Sequence, residues 1–280
     1  MNTARDPASA AGGTARLAEQ FTALKARRRK ALIIYLMAGD PTPEFTVRLV
    51  SKLAAAGADI VELGFPFSDP VADGPVIQAS GQRAFPHLSD LPTYFSLMEK
   101  IRGACDLPLV CMTYYNPIFR YGERNFLQQA RKAGLDGAIL PDLPIAEGAA
   151  WSELCREEGM AGIFLEAPNS EEGEVRAIAA ASQGFVYLVS LKGVTGSDKG
   201  VGENLAERIE RLRSLTETPL AVGFGISTPE QAGTFGAMCD GVVVGSGVIS
   251  RIEAARTPAQ GEKAGLDYVA AMRAALDGAA

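Results

Sequence analysis

A short sequence pattern that recurs along the chain decides its fold, and its first copy is AGADIV at residues 56–61. In each copy a helical pattern ends near small residues and a short buried strand begins. The other copies are AGLDGAIL at 133–140, EGMAGIFL at 158–165 and AMCDGVVV at 237–244. A helix end followed directly by an apolar strand is typical of repeated βα units.

Eight apolar runs, four of them within these repeats, predict strands. The first, residues 31–37, is continuously apolar, as expected of a parallel strand covered on both faces. The eight runs lie near residues 31–37, 59–63, 108–113, 137–141, 161–166, 185–190, 219–223 and 241–245. Helical patterns separate them, which predicts an α/β fold, a closed (β/α)₈ TIM barrel. An open doubly wound sheet is the alternative, but residues 36–41 lack the GxGxxG typical of its first turn.

An extra N-terminal helix is predicted over residues 14–30, where apolar residues recur at helical spacing. Basic residues crowd its end. They suit the negative end of a helix dipole, and a nucleic-acid patch is the alternative on this acidic chain. We expect residues 1–15 to be a flexible tail and residues 16–280 to form a single barrel domain.

Small polar residues and glycines predict where other helices begin and end. Gly57 is placed as a C-terminal stop. One later helix should open at Asn169 or Ser170, and another at Thr228, which is followed by a proline.

Composition excludes several classes of function. The net charge of −6 and the pI near 5.1 argue against nucleic acid or an anionic membrane surface as the main partner. They do not exclude an anionic substrate, since backbone amides bind phosphate without net positive charge. The single histidine, His87, excludes a site that needs two histidine ligands. No apolar run is long enough to span a membrane, and the N-terminus lacks the apolar stretch of a secretory signal.

The cysteines indicate a reducing compartment. The four cysteines show no CxxC spacing and lie in apolar surroundings. We interpret them as reduced core residues of a cytoplasmic protein.

Residues 61–75, VELGFPFSDPVADGP, predict the site. Glu62 falls where an apolar strand ends, and Asp69 and Asp73 follow in a loop stiffened by prolines. The alternative is a twisted turn without a function, whose acidic side chains face water. Strand ends and the loops after them form the active-site face of a barrel, however. A carboxylate in that apolar setting should have a raised pKa, which suits general acid–base catalysis.

Three consecutive loops are rich in glycine and predict a phosphate site. They contain residues 193–196, 223–227 and 245–247. Glycines let backbone N–H groups approach an anion closely, and loops after the seventh and eighth strands commonly bind phosphate in this fold. Tyr114 and Tyr187 are candidate walls between phosphate and carboxylates. The sequence contains neither a metal-ligand cluster nor a nucleophile with an evident base.

At this point the residues match a known family: the sequence resembles the α subunit of tryptophan synthase from about residue 16 to residue 275. The most specific motif is the stretch from Glu62 to Pro75. The other matching motifs are Ala38-Gly39-Asp40-Pro41, Tyr115-Asn116-Pro117, Pro141-Asp142-Leu143-Pro144, Gly193-Val194-Thr195-Gly196 and Gly223-Phe224-Gly225-Ile226-Ser227.

The resemblance implies a retro-aldol cleavage of indole-3-glycerol phosphate to indole and glyceraldehyde 3-phosphate. It implies that Glu62 is the main acid–base residue and that Asp73 accepts a hydrogen bond from the indole N–H. Tyr187 matches the family's site tyrosine. Thr195 matches a loop threonine expected to bond Asp73 when the site closes.

The same resemblance implies the remaining contacts. The residues expected to hold phosphate are Gly196, Gly225, Gly245 and Ser246. Those expected to form the indole slot are Tyr35, Met112, Tyr114, Pro141 and Phe224. A β subunit that carries pyridoxal phosphate would be the partner in an α₂β₂ complex, with Asp69 facing it. This chain itself would need neither a cofactor nor a metal.

Two segments depart from the family pattern, residues 85–90 and the glycine-rich residues 196–202. They leave open how tightly the site closes and how well the chain couples to a β subunit. Two alternatives therefore remain: a free-standing lyase that releases indole, and a barrel kept mainly to bind and activate a β subunit. The retained carboxylates and phosphate loops argue against the second alternative.

Overall fold

The computed structural model describes residues 12–190 and 198–278, except for the side chains of 198–204. None of the described helices combines the length and apolarity that a membrane span requires. The strands are β1 (Ala31–Met37), β2 (Ile60–Gly64), β3 (Leu109–Met112), β4 (Gly137–Ile139), β5 (Ala161–Ile163), β6 (Leu165–Glu166), β7 (Val186–Val189), β8 (Leu220–Gly223) and β9 (Gly241–Val244). The helices are α1 (Gly13–Ala26), α2 (Pro43–Ala56), α3 (Pro75–Ala84), α4 (Leu91–Arg102), α5 (Tyr115–Tyr121), α6 (Glu123–Lys132), α7 (Ala149–Glu158), α8 (Glu172–Ala181), α9 (Asp198–Arg213), α10 (Pro229–Gly236), α11 (Ser246–Glu253) and α12 (Pro258–Gly278).

The sheet closes into a barrel through one interrupted strand. Its order is β5-β4-β3-β2-β1-β9-β8-β7-β6, and every pairing is parallel. The two ends of this order, β5 and β6, are separated only by Phe164, whose carbonyl accepts a 3.0 Å hydrogen bond from the Tyr187 N–H. The strand predicted at 161–166 is therefore one barrel strand in two pieces. The (β/α)₈ barrel prediction is confirmed.

The pairing between β6 and β7 is short and is supplemented by a buried side chain. Only two residues of β6 pair with β7. Nη2 of Arg208, in α9, donates to the Glu166 carbonyl at 3.1 Å and to the Val189 carbonyl at 3.0 Å. Its Nε donates to the buried Glu166 carboxylate at 3.0 Å. The guanidinium thus joins the two strands where their backbone ladder ends.

The recurring sequence pattern has a structural role at the amino ends of the barrel strands. In three copies an aspartate, Asp59, Asp136 or Asp240, immediately precedes the strand. Each accepts a hydrogen bond at Oδ2 from the backbone N–H at the start of the neighbouring strand. The bonds come from Leu32 at 2.9 Å, Leu109 at 2.8 Å and Leu220 at 2.9 Å. The fourth copy has Met160 at this position and lacks the bond.

A backbone hydrogen bond accompanies each of these side-chain bonds, and we call each such pair of bonds an aspartate tie. The N–H of each aspartate donates to the carbonyl of the same leucine, at distances of 2.9, 2.7 and 2.8 Å. An arginine adds a charge contact in every case: Arg273 to Asp59, Arg102 to Asp136 and Arg213 to Asp240. Each tie thus joins two adjacent strands through a closed pair of hydrogen bonds. In this fold the amino ends of strands serve stability rather than chemistry.

The N-terminal helix is confirmed, but it ends earlier than predicted. Helix α1 begins at Gly13 and stops at Ala26, because Arg28 takes a left-handed conformation with φ of 52°. The basic residues beyond it make contacts within the chain. Lys30 Nζ donates to the Cys239 carbonyl at 2.7 Å, and Arg29 Nε to Asp277 at 3.2 Å. Both contacts favour the structural reading of this basic cluster.

Helix caps follow the sequence with one correction. Gly57 ends α2 with φ of 105°, and Thr228 caps α10 through a hydrogen bond from the Gln231 N–H, as predicted. Helix α8 is capped by Glu171 and not by Asn169 or Ser170. There the Glu174 side chain accepts the Glu171 N–H at 3.0 Å and completes a reciprocal capping box.

The aspartate ties can be tested by substitution. Asp136→Ala is expected to lower the free energy of unfolding by about 3–5 kcal/mol, because Arg102 loses its largely buried counter-charge and Leu109 its acceptor. Urea denaturation followed by circular dichroism measures this change. Asp106→Ala, at an exposed position nearby, is the control and should change stability by less than about 0.5 kcal/mol. Equal midpoints for the two variants would show that the tie contributes nothing.

Candidate active site

A cavity of about 250 Å³ opens at the carboxyl ends of the strands. Its lining comes from β1, β2, β3, β7 and β9, from the loops after β2, β8 and β9, and from the first turns of α3 and α11, which is where a barrel places its active site. Nine of the residues singled out from the sequence line it: Tyr35, Glu62, Asp73, Met112, Tyr187, Phe224, Gly225, Gly245 and Ser246. Folding thus brings the carboxylates and two of the three glycine loops to one space.

Glu62 lies on the barrel interior in the middle of β2, and not at the end of the strand as predicted. Its backbone pairs with Tyr35 on one side and Val110 on the other, so its position is fixed by two neighbouring strands. The side chain is fully buried, and neither carboxylate oxygen has a hydrogen-bond partner among the described residues. Burial disfavours the charged form and raises the pKa of Glu62 to about 8. Near neutral pH this group can therefore both donate and accept a proton.

Two tyrosine rings flank Glu62, and the space for each hydroxyl depends on a glycine. A Cβ on Gly64 would overlap the Tyr35 hydroxyl, and a Cβ on Gly223 would overlap the Tyr187 hydroxyl. Both tyrosines line the cavity. Burial, with the nearby Glu62 carboxylate, raises the pKa of both phenols, so they stay protonated and can donate hydrogen bonds.

Asp73 reaches the same cavity from the loop before α3. Burial raises the pKa of Asp73 to about 6, against an opposing hydrogen bond from Tyr114. The Tyr114 hydroxyl also accepts the Ala72 N–H at 2.9 Å, and its ring stacks on Phe67 with centroids 5.0 Å apart. Tyr114 thus holds the loop that carries Asp73, and Asp73 is mainly ionised near neutral pH.

Tyr114 and Pro141 line a smaller neighbouring cavity of about 10 Å³ rather than the main one. The two cavities share Tyr35, Asp73, Ile77 and Met112. Asp69 lies in the exposed part of the loop. Thr195 and Gly196 lie outside the described residues.

The part of the cavity wall that follows β8 and β9 offers backbone amides to an anion. Helix α11 begins at Ser246, and its N-cap, Gly245, has no side chain to occupy the free N–H groups of the first turn. A Cβ on Gly245 would lie 3.1 Å from the Tyr35 ring. In the loop after β8, Phe224 and Gly225 both have positive φ, 64° and 91°. A helix N-terminus beside such a turn is a ready anion site.

Some apolar residues of the cavity wall carry no signal in the sequence that marks them as site residues. Val76, Ile77 and Val243 line the main cavity, although the sequence singled out none of them as a site residue. As apolar residues of a helix and a buried strand, they look the same in the sequence as core residues. Among the described residues, three or more His, Cys, Asp or Glu side chains nowhere lie close enough to hold a metal ion together.

Comparison with known proteins identifies the family. The family model described as "Tryptophan synthase alpha chain" matches residues 21–277. This chain belongs to the tryptophan synthase alpha chain family.

Relatives in this family are similar over most of their length. The tryptophan synthase alpha chain of Methanosarcina mazei is 48% identical over 239 residues, which are 85% of this chain and 87% of that relative. That of Geobacter sulfurreducens is 43% identical over 261 residues, or 93% and 98% of the two chains.

Solved structures of the family share the fold. Tryptophan synthase subunit alpha from Legionella pneumophila superposes with a TM-score of 0.85 at 37% identity, covering 94% of this chain and 98% of that one. A chain of tryptophan synthase from M. tuberculosis, in an aminoacrylate-bound form, gives a TM-score of 0.82 at 31% identity, covering 93% and 99%. The expected membership in the tryptophan synthase α family is thereby confirmed.

The raised pKa of Glu62 predicts a pH-dependent stability difference between the native chain and a Glu62→Gln variant. The folded-state pKa of about 8 lies above the ordinary value of 4.5, so Glu62 favours folding most below pH 4.5 and loses that contribution as pH rises to 8. The variant should therefore gain stability relative to the native chain by up to about 1.4 kcal/mol per pH unit in this window. Urea titrations at several pH values measure the difference. Parallel stability curves would show that Glu62 titrates normally.

Proposed function

We propose that this chain catalyses the α reaction of tryptophan synthase, the retro-aldol cleavage of indole-3-glycerol phosphate to indole and glyceraldehyde 3-phosphate, in L-tryptophan biosynthesis. The observation that carries the proposal is Glu62, a buried carboxyl group with a pKa of about 8 and no hydrogen-bond partner among the described residues, in one cavity with a helix N-terminus. The reaction needs a proton carrier at one end of the substrate and a phosphate site at the other.

The substrate would bind with its phosphate at the amides of the α11 N-terminus and of the β8 loop. Gly225, Gly245 and Ser246 line that side of the cavity, and Gly196 remains a proposed contact. The indole ring would then lie among the apolar and aromatic walls, towards Asp73. The proposed walls are Tyr35, Met112, Tyr114, Pro141 and Phe224, the last packed edge-on against Tyr187.

The chemistry would begin with protonated Glu62, which gives its proton to C3 of the indole ring. Positive charge then develops on the ring nitrogen, and the ionised Asp73 stabilises it through the indole N–H. The Glu62 carboxylate next takes the proton of the adjacent side-chain hydroxyl. The carbon–carbon bond breaks as the aldehyde forms, and the bond's electron pair returns to the ring and restores indole. Tyr187 is proposed to orient the side chain beside Glu62, and Thr195 to bond Asp73 on closure.

The α₂β₂ complex with a tryptophan synthase β subunit is part of the proposal, with Asp69 facing the partner. Supporting it, Val71 and Phe119 are 84% and 64% exposed, in segments that follow the adjacent strands β2 and β3. Contact with a partner would remove these two apolar side chains from water. Pyridoxal phosphate would reside in the β subunit, and the cleavage proposed above routes no step through a cofactor or metal of this chain. Neither nucleic acid nor a membrane enters the proposal.

Two further expectations rest on the sequence. A cytoplasmic location fits the four cysteines, all of which are buried free thiols. Residues 1–15 as a tail and 16–280 as one domain remain a prediction, although helix α1 already begins at Gly13.

Substitution of the carboxylates tests the mechanism. Glu62→Gln should lower kcat by about 10²–10⁴-fold while substrate still binds, because general acid–base catalysis is lost. Asp73→Asn should lower kcat through weaker stabilisation of the ring charge. Steady-state cleavage assays measure both, and Asp69→Asn, in the same loop but exposed, is the matched control. Near-normal kcat in Glu62→Gln would contradict the assignment.

A free-standing lyase is the alternative within the same chemistry. The cleavage rate is measured with and without a purified tryptophan synthase β subunit. Activation of about tenfold or more is expected for a subunit of the complex. A high rate that the β subunit leaves unchanged would favour the free-standing enzyme, and no cleavage under either condition would favour a purely structural barrel.

A further inference from the structure

Two helices direct their first residues into the active-site cavity. Helix α3 begins at Pro75 with Gly74 as its N-cap, immediately after Asp73. Helix α11 begins at Ser246 with Gly245 as its N-cap. The N-caps and first residues of both helices line the cavity. The position of α3 thus sets where Asp73 lies, and the position of α11 sets where the proposed phosphate amides lie.

The far ends of these two helices are joined by one guanidinium group. Arg83, in the last turn of α3, donates from Nη1 to the carboxylate of Glu253, the last residue of α11, at 2.7 Å. Its Nε and Nη2 donate to the two oxygens of Asp40 at 2.7 and 2.9 Å. The Ser80 hydroxyl donates to the same carboxylate at 2.5 Å. The Asp40 side chain is only 7% exposed.

Asp40 connects this unit to the barrel itself. It lies in the short segment between β1 and α2, two residues after Ala38, whose N–H bonds the Gly64 carbonyl at 3.0 Å. A Cβ at Gly39 would lie 3.0 Å from the Leu88 side chain and 3.7 Å from Ala84, so α3 ends close against this segment. The bidentate Asp40–Arg83 contact has a planar geometry that tolerates little displacement.

We propose that Arg83 is a positioning residue that fixes the distance between the indole end and the phosphate end of the active site. It acts through α3 and α11, which transmit the position of their C-terminal ends to their N-terminal residues as rigid rods of about 15 and 12 Å. The inference rests on the proposed function, because it assumes a ligand that spans both ends. A misplacement of about 1 Å in such a site can lower a rate by about 10²-fold.

The test compares the binding of two fragments of the ligand with the binding of a molecule that links them. Indole alone and glycerol 3-phosphate alone each probe one end. Indole-3-propanol phosphate, which lacks the reacting hydroxyl, joins both ends in one molecule. Breaking the Arg83 contacts should leave each fragment site intact and weaken only the linked ligand, since the advantage of linkage depends on the spacing of the two sites.

For Arg83→Met we expect the Kd of the linked ligand to rise about tenfold or more, while the Kd of each fragment changes by less than about threefold. The kcat for cleavage should fall in parallel, by about 10-fold to 10²-fold. Glu253→Gln, a milder change at a half-exposed position, should move the same quantities in the same direction and guards against a folding failure of the first variant. Isothermal titration calorimetry on the full chain measures all three affinities.

The control is Arg124→Met. Arg124 also binds two carboxylates from a neighbouring helix, Glu157 and Glu158, but it lies on α6, which contributes nothing to the cavity lining. It should leave all three affinities unchanged. Equal weakening of fragments and linked ligand in Arg83→Met would reduce Arg83 to a stabilising role, and an unchanged linked ligand would also overturn the proposal. If the native chain neither cleaves indole-3-glycerol phosphate nor binds the linked ligand, the proposed function fails, and this inference falls with it.

Discussion

The constraint on which this structure depends is a buried carboxyl group in the centre of a barrel strand that has no hydrogen-bond partner among the described residues. The Glu62 side chain is fully buried, and burial alone raises its pKa to about 8. Each buried polar atom without a partner costs roughly 1–3 kcal/mol. The opposite ends of the strands offset such a cost, because Asp59, Asp136 and Asp240 tie neighbouring strands together there. Stability and chemistry are thus located at opposite ends of the same strands.

The barrel also decides which groups can act together. Tyr35 and Glu62 are register partners on β1 and β2, so their side chains leave the wall at the same height. Gly64 and Gly223 leave room for the hydroxyls of Tyr35 and Tyr187 beside that carboxyl group. The amides of α11 face the same space from the end of β9, two strands along the barrel from β2. A ligand with an aromatic ring and a phosphate can therefore contact both ends of one rigid cavity.

Much of the fold could be predicted because it rests on local patterns. Continuous apolar runs identify buried parallel strands, and glycine and threonine at helix ends identify α2 and α10. The break at Phe164 left no such signal, since an apolar residue there looks the same inside or outside a ladder. The end of α1 was missed because the φ of Arg28 is a property of one residue that the periodicity of its neighbours does not reveal.

The site was predictable where chemistry requires residue types that are rare in an apolar sheet. A glutamate inside an apolar run and glycines in successive loops stand out in a sequence. The Asp40–Arg83–Glu253 unit did not. Asp40 lies in a family motif, but Arg83 is 43 residues away and Glu253 a further 170, and both look like ordinary surface charges. The same holds for Glu166 and Arg208, which are 42 residues apart. Side-chain pairs that depend on tertiary contacts carry no local periodicity.

The Arg208 contact has a consequence for the order in which the chain folds. The β6–β7 ladder is only two residues long, and part of the connection between these strands comes from a guanidinium on α9, a later element of the chain. Strands β1 to β5 can pair as they emerge, each with its predecessor. The ring between β6 and β7 is complete only after α9 has docked. The barrel itself closes later still, when β9, the last strand, pairs with both β8 and β1, so the free edge of β1 is where an unfinished chain would stay open longest.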